Sequence, residues 1–257
     1  MHGFPDFAPD LNWTRTTSTL SVMAYLNAQH GPFRDPLLRL AANLALDKAA
    51  IIRTVFGGLA EAAATVVSPF HFGFARAGCA PIPFDPEAAR RLVAAQGPLP
   101  RLRLRTPDHM PERAPELAAA IAAALDAVGF AVDTELQPDR PEYAREVGAK
   151  RMGDIALFDS SPHSTFRVLD DKISSASRGI WWQGYDDSEA QRLFAEARRT
   201  IQDDAREALY GRCLGRLNEA PPWLYLLHPT LVTASRHGIV PVSLDHRGIL
   251  ALGRTAR

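Results

Sequence analysis

Between Arg101 and Phe158 the spacing of apolar residues switches repeatedly between a period of two and a helical period, and this alternation restricts the fold more than any other feature. Residues 101–106 alternate arginine with leucine, the pattern of a strand with one wet face. Residues 112–128 are alanine-rich at helical spacing and are closed by Gly129. Residues 130–136 read as a second strand, 141–150 as a short helix, and 154–158 as a compact apolar third strand. A helix between two strands of one sheet needs a crossover, so the chain is expected to be α/β. Its strands near 101–106, 131–136 and 154–158 should share a sheet, the first two parallel. Ligands on such sheets sit beyond the carboxyl ends of the strands, which directs attention to the loop after Phe158.

The flanking segments have their own periods. Residues 32–58 carry apolar side chains at Leu37, Leu38, Leu40, Ala41, Leu44, Ala45, Ala49, Ile52 and Val55, a broad helical face with a break expected near Asp47. Pro36 suits the first turn and Gly57-Gly58 the stop. Residues 20–27 read as a strand, and 1–17, rich in proline and aspartate, as an irregular lead-in. Residues 68–83 read as an ordered loop. Asp85 caps a helix starting at Pro86 and ending before Gln96-Gly97-Pro98. After Phe158 come a loop at 159–167, a flexible Ser/Arg/Gly stretch to Gly179, helices at 187–199 and 203–219, and a strand at 223–228. Two weak strands are expected near Ile239 and Ile249.

Composition narrows the function classes. With 257 residues and 46% apolar content the chain can bury a sizeable core. Formal net charge is zero and there is no basic block, which argues against nucleic acid or anionic membranes as partners. No run approaches a membrane-spanning length, and the first residues lack the basic start and apolar core of a secretory signal. Cys79 and Cys213 read as free thiols.

Candidate site residues come directly after the third strand. Asp159, Ser160, Ser161, His163 and Arg167 bring a carboxylate, hydroxyls, an imidazole and a guanidinium into one loop, though Asp and Ser before Pro162 equally suit a helix cap. Trp181, Trp182 and Tyr185 form an aromatic cluster in a polar stretch, as binding clefts show, with at least one ring read as a core anchor. The eight histidines do not gather at metal-ligand spacing, so no cofactor or preformed metal site is expected. A serine hydrolase using Ser160 or Ser161 with His163 is one rival reading, which requires a hydroxyl within about 3 Å of an imidazole nitrogen; a non-transporting interaction domain is the other. Residues 73–78 have the glycine spacing of a phosphate loop, but Cys79-Ala80 stands where Lys-Ser/Thr is required.

Three motifs in order carry a resemblance. A strand ending in Asn27 runs into Pro32-Phe33-x-Asp35, then Arg39, Ala45-x-Asp47-Lys48, Ile51-Ile52 and Gly58. Phe84-Asp85-Pro86-Glu87-Ala88-Ala89-Arg90-Arg91-Leu92 comes next, and then 185–210 with Ala220-Pro221-Pro222-Trp223. Over residues 18–235 the chain resembles the C-terminal half of family 5 extracellular solute-binding proteins, the peptide- and nickel-type subunits of ABC importers.

The resemblance implies an α/β lobe like the C-terminal lobe of a type II periplasmic binding protein, with a mixed sheet flanked by helices. Residues 1–19 are then expected to be a remnant of the first lobe, 20–225 the ligand-binding lobe, and 226–257 a return segment toward the first lobe. It implies capture of a small solute (peptide, opine-like or related compound), permease subunits as partners, a periplasmic location and no catalysis. If the start is genuine, the location is cytoplasmic. Since the family's members are longer at the N-terminus, the chain reads as truncated, binding solute no tighter than about millimolar and tending to self-associate through unpaired strand edges. A nickel chelate held through its organic part stays open. In the family the loop after the third strand lines the cleft, so Phe158, Asp159, Ser160, Ser161, His163 and Arg167 are implied contacts, with Asp159 anchoring an amino group and Arg167 a carboxylate. Tyr25, Asn27 and His228, on strands that look like hinge crossings, are implied as further contacts. Asp159, Ser160, Tyr25 and one of Trp181 and Trp182 are expected to line one concavity.

Overall fold

The computed structural model describes residues 10–109, 111–238 and 243–250. Its strands are β1 (Leu11–Thr17), β2 (Ser21–Leu26), β3 (Ala60–Ala62), β4 (Leu102–Pro107), β5 (Val132–Gln137), β6 (Ile155–Ser160) and β7 (Trp223–Arg236). Helices α1 (Pro36–Leu44) and α2 (Lys48–Phe56) follow β2. Then come α3 (Phe74–Ala77), α4 (Pro86–Ala94), α5 (Ala114–Asp126), α6 (Arg140–Gly148), α7 (Thr165–Val168), α8 (Ser188–Ala197) and α9 (Asp203–Glu219). The sheet order is β1-β7-β2-β6-β4-β5, with β3 on β7.

The strand–helix–strand run forms as its periodicity requires. β4 pairs parallel with β5 (Leu102 opposite Val132) and with β6 (Leu104 opposite Ile155). The sheet is mixed because β2 enters antiparallel to β6, Ser21 opposite Ser160 and Leu26 opposite Ile155, and β7 lies antiparallel to β2. All six residues of β2 are buried. The expected wet face of β4 is half closed. Arg103 is exposed, but Arg105 is buried, held by Glu135 at 2.8 Å and by Glu146 of α6 at 2.7 Å.

Two apolar layers sandwich the sheet. On one face Val22, Ala24, Leu26, Leu104 and Leu157 meet α1, α2, α4 and α5; on the other Met23, Tyr25, Ala156, Phe158 and Tyr225 meet α6, α8 and α9. The long helical period at 36–56 does break near Asp47, whose carboxylate accepts from the Ala50 amide and starts α2. Gly57 ends α2 in the left-handed conformation at φ 57°. Asp85 caps α4 through the Ala88 amide. Cys79 and Cys213 are free thiols. No helix among the described residues is long and apolar enough to cross a membrane.

Three local expectations need correction. Residues 11–17 are a strand, not an irregular lead-in, and pair with β7 from Leu11–Arg236 to Thr17–Thr230. β7 runs unbroken from Trp223 to Arg236 instead of stopping at His228. The supposed flexible stretch after the 159–167 loop begins as helix, α7 continuing into a π turn at Leu169–Ile173. Ile239 lies outside the described residues; near Ile249 there is an isolated bridge between Leu244 and Leu250.

One side chain completes the sheet where no strand reaches. Asn43 of α1, fully buried, donates from Nδ2 to the Trp223 carbonyl at 2.8 Å and accepts from the Tyr225 amide at 3.0 Å. It stands in for a strand partner at that stretch of β7, beyond the reach of β3. Replacing Asn43→Ala leaves a buried carbonyl and a buried amide unpaired, with an expected loss of about 2–4 kcal/mol. Urea denaturation measures this, and a loss below about 1 kcal/mol would show that water or backbone movement satisfies both groups.

Candidate functional site

Chain direction decides which groups meet. β4, β5 and β6 run the same way, so Pro107, Gln137 and Ser160 end together. β7, antiparallel to β2, runs with β6. α9 ends just before β7 begins, which puts its first turn and the α8–α9 turn toward this same carboxyl end.

At that end Asp159 sits beside Arg140, the first residue of α6, with 3.6 Å between Arg140 Nη2 and Asp159 Oδ1. Arg140 is held there because Asp139 caps α6 through the Glu142 amide, and its guanidinium lies over the Phe158 ring at 4.4 Å. Its Nε is buried without a hydrogen-bond partner among the described residues. Behind Phe158, Trp181 packs at 5.0 Å and Tyr25 at 5.5 Å. Lys172 of the π turn donates to the Tyr25 hydroxyl at 3.0 Å and lies over the Trp181 ring. Burial pushes the Lys172 ammonium down to about 8, against the pull of Asp171 and Asp159. Asp159 therefore stands near two cations. Arg140 and Lys172 are functional candidates that sequence reasoning missed. The signal for Arg140 was present, an Asp N-cap followed by Arg-Pro directly after a strand; none marked Lys172.

The 160–165 loop is pinned by histidines. His71 accepts at Nδ1 from the Ser68 amide and hydroxyl, and its Nε2 lies 2.8 Å from the Pro162 carbonyl oxygen. Thr165 donates to the Phe72 carbonyl at 2.7 Å. His163 Nδ1 lies 3.2 Å from Thr19 Oγ1, in the turn between β1 and β2. His228 Nδ1 lies 3.0 Å from the Leu20 carbonyl oxygen and 3.3 Å from Ser21 Oγ. His228 Nε2 and Ser160 Oγ, on either side of β2, are buried without partners among the described residues. Among the described residues neither Ser160 nor Ser161 makes the contact with His163 that the hydrolase reading requires: His163 Nδ1 meets Thr19, and Ser160 Oγ is buried without a partner.

The expected contacts therefore separate. Phe158, Asp159, Ser160, Ser161, His163 and His228 gather at the carboxyl end of β6, and Arg167 is exposed nearby on α7. Tyr25 is fully buried, so it supports Phe158 from beneath and lines no open concavity with Asp159. Trp181 joins that cluster half-buried, whereas Trp182 donates to the Tyr185 carbonyl and carries Arg178 over its ring. Tyr185 is a core residue whose hydroxyl donates to the Ala220 carbonyl. Asn27 lies at the opposite end, bonded to the Gly153 carbonyl, because β2 runs against β6. Among the described residues no group of three or more His, Cys, Asp or Glu side chains is placed to hold a metal ion.

The sequence matches the profile of the bacterial extracellular solute-binding proteins, family 5 Middle, over residues 6–188. It is 27% identical over 249 residues to the probable di/tripeptide-binding protein 5 of Pseudomonas aeruginosa, covering 94% of this chain and 47% of that one. The fold superimposes on the periplasmic binding protein DppA of Helicobacter pylori, solved with the peptide STSA, at a TM-score of 0.79 and 23% identity. That match covers 94% of this chain and 47% of that one. NikA of Brucella suis, solved with Fe(III)-EDTA, is similar at a TM-score of 0.75 and 21% identity, over 93% and 51% of the two chains. The chain spans about half the length of the curated relatives it matches.

The buried histidines set a pH dependence. Burial lowers the affinity of His71 and His228 for protons below the ordinary 6.5. Both are neutral in the fold, so the unfolded chain binds more protons once pH falls below about 6.5, and stability declines from there toward their lowered folded values. Equilibrium urea unfolding between pH 8 and pH 5 should show this decline, and His228→Gln should flatten it; a stability that rises on acidification would contradict it.

Proposed function

The chain belongs to family 5 of the bacterial extracellular solute-binding proteins, and we propose that it supplies the C-terminal ligand-binding wall of a small-peptide receptor serving an ABC importer. The observation that carries this reading is the Asp159–Arg140 pair at the carboxyl end of the parallel strands. A free dipeptide is a zwitterion. It needs an anion for its ammonium group and a cation for its carboxylate, and a pair held at 3.6 Å offers both to a ligand that can separate them. The Pseudomonas relative is named for di- and tripeptides, which agrees with that size and charge. Permease subunits are the proposed partners, engaged as the receptor closes on its ligand. The periplasm is the proposed location.

With one wall's contacts, affinity for dipeptides should be roughly millimolar, corresponding to about −4 kcal/mol. Calorimetric titration with free and N-acetylated dipeptides tests this. The free forms should bind, and either N-acetylation or Asp159→Asn should weaken binding at least about fivefold, about 1 kcal/mol. No heat from any di- or tripeptide, or binding indifferent to both changes, would overturn the reading.

A further inference from the structure

A second site lies beside the 160–165 loop, on the helical face that carries α7, α8 and α9. It is a concavity of about 460 Å³ whose walls include Phe72, His163, Phe166, Arg198, Arg206 and Tyr210. Close packing built it. Gly73 has a φ of 89°, and a Cβ there would stand 2.5 Å from Tyr210 Cβ, so only glycine lets the 72–74 segment lie this tightly on α9. That contact sets Phe72 edge-on to Tyr210, with ring centroids 6.0 Å apart. Gly73 thus serves helix packing, while Gly78, with open space where a Cβ would stand, ends α3 in the left-handed conformation at φ 61°.

The lining is chemically one-sided. It holds two guanidinium groups and no carboxylate. Arg198 uses Nη1 for Asp170 and Ser177, and Arg206 uses Nη1 and Nη2 for the Ile201 carbonyl and Asp203. Each keeps further donors, since a guanidinium carries five N–H groups. Tyr210 is 4% exposed overall, and its hydroxyl, which is not among the fully buried unpartnered polar atoms of the described residues, lies on the lining of the concavity. Burial raises the Tyr210 phenol above its ordinary value, against the opposing pull of Arg206 and Arg198. Among the described residues His163 engages only its Nδ1. Arg206 stacks over Phe72 and Arg198 over Phe166, each at 5.6 Å, so flat apolar faces flank the donors.

We propose that this concavity binds a small aromatic carboxylate, its ring between Phe72 and Phe166 and its carboxylate on Arg198, Arg206 and the Tyr210 hydroxyl. An aromatic ring fits flat walls of this kind, and a carboxylate takes forked guanidinium donors and a phenol O–H. This site borders the loop that carries Asp159 and shares His163 with it, but it uses neither Asp159 nor Arg140, the pair on which the peptide reading rests.

Titration of the 15N-labelled chain with benzoate, monitored by amide chemical shifts, tests it. Benzamide serves as the neutral isostere and acetate as the ringless anion. Benzoate should shift the amides of Phe72, 163–166 and 197–210, and should bind at least tenfold tighter than either control. Arg206→Gln should weaken benzoate about tenfold and Tyr210→Phe severalfold, while Asp159→Asn leaves it unchanged. The spectrum of each variant reports whether it is folded, and Tyr210→Phe keeps the ring packing if Arg206→Gln perturbs the α8–α9 turn. Equal binding of benzoate and benzamide, shifts centred elsewhere, or indifference to both variants would overturn the proposal. Loss of dipeptide binding in Asp159→Asn with benzoate binding intact would separate the two sites.

Discussion

β2 must be paired along both edges. Every residue from Ser21 to Leu26 is buried, so each amide and carbonyl needs a protein partner. One edge is satisfied by β6 and the other by β7, one nearly midway along the chain and the other close to its end. The sheet cannot close until both have arrived, and when they do, α1, α2, α4 and α5 are on one face and α6, α8 and α9 on the other. Because β2 opposes β6, its beginning lies at the carboxyl end of the parallel strands and its end at the other. The 18–20 turn thereby reaches the 160–163 loop, where Thr19, Leu20 and Ser21 meet His163 and His228. The same geometry moves Asn27 out of reach.

Much of this was legible because it is local. Crossover helices, caps at Asp85 and Asp47, and the glycine stop at Gly57 arise from spacing and from backbone chemistry that a few neighbouring residues determine. What escaped was long-range or masked by composition. The strand at Leu11–Thr17 has β-branched and aromatic residues, but the preceding proline and aspartate pointed to irregular chain. The π turn carrying Lys172 is chosen by packing under Trp181 and Tyr25, which no local period encodes. At the site, the loop residues were readable from their position after a strand. The company of Asp159 was not, because Arg140 and Lys172 come from other elements.

Charge placement links the fold to its proposed use. Asp159 and Arg140 sit at the exit of two parallel strands, backed by Phe158 and, beneath it, by buried Tyr25. The Phe158 and Tyr25 rings form an apolar floor under the pair, whose two charges stand 3.6 Å apart. Hydrogen–deuterium exchange with and without saturating dipeptide tests most directly whether this end of the sheet is the binding face. Exchange should slow at 107–113, 138–142 and 159–165, with 27–35 and 180–187 unchanged. Protection confined to 27–35 and 180–187 would contradict a binding face at the carboxyl end of the parallel strands.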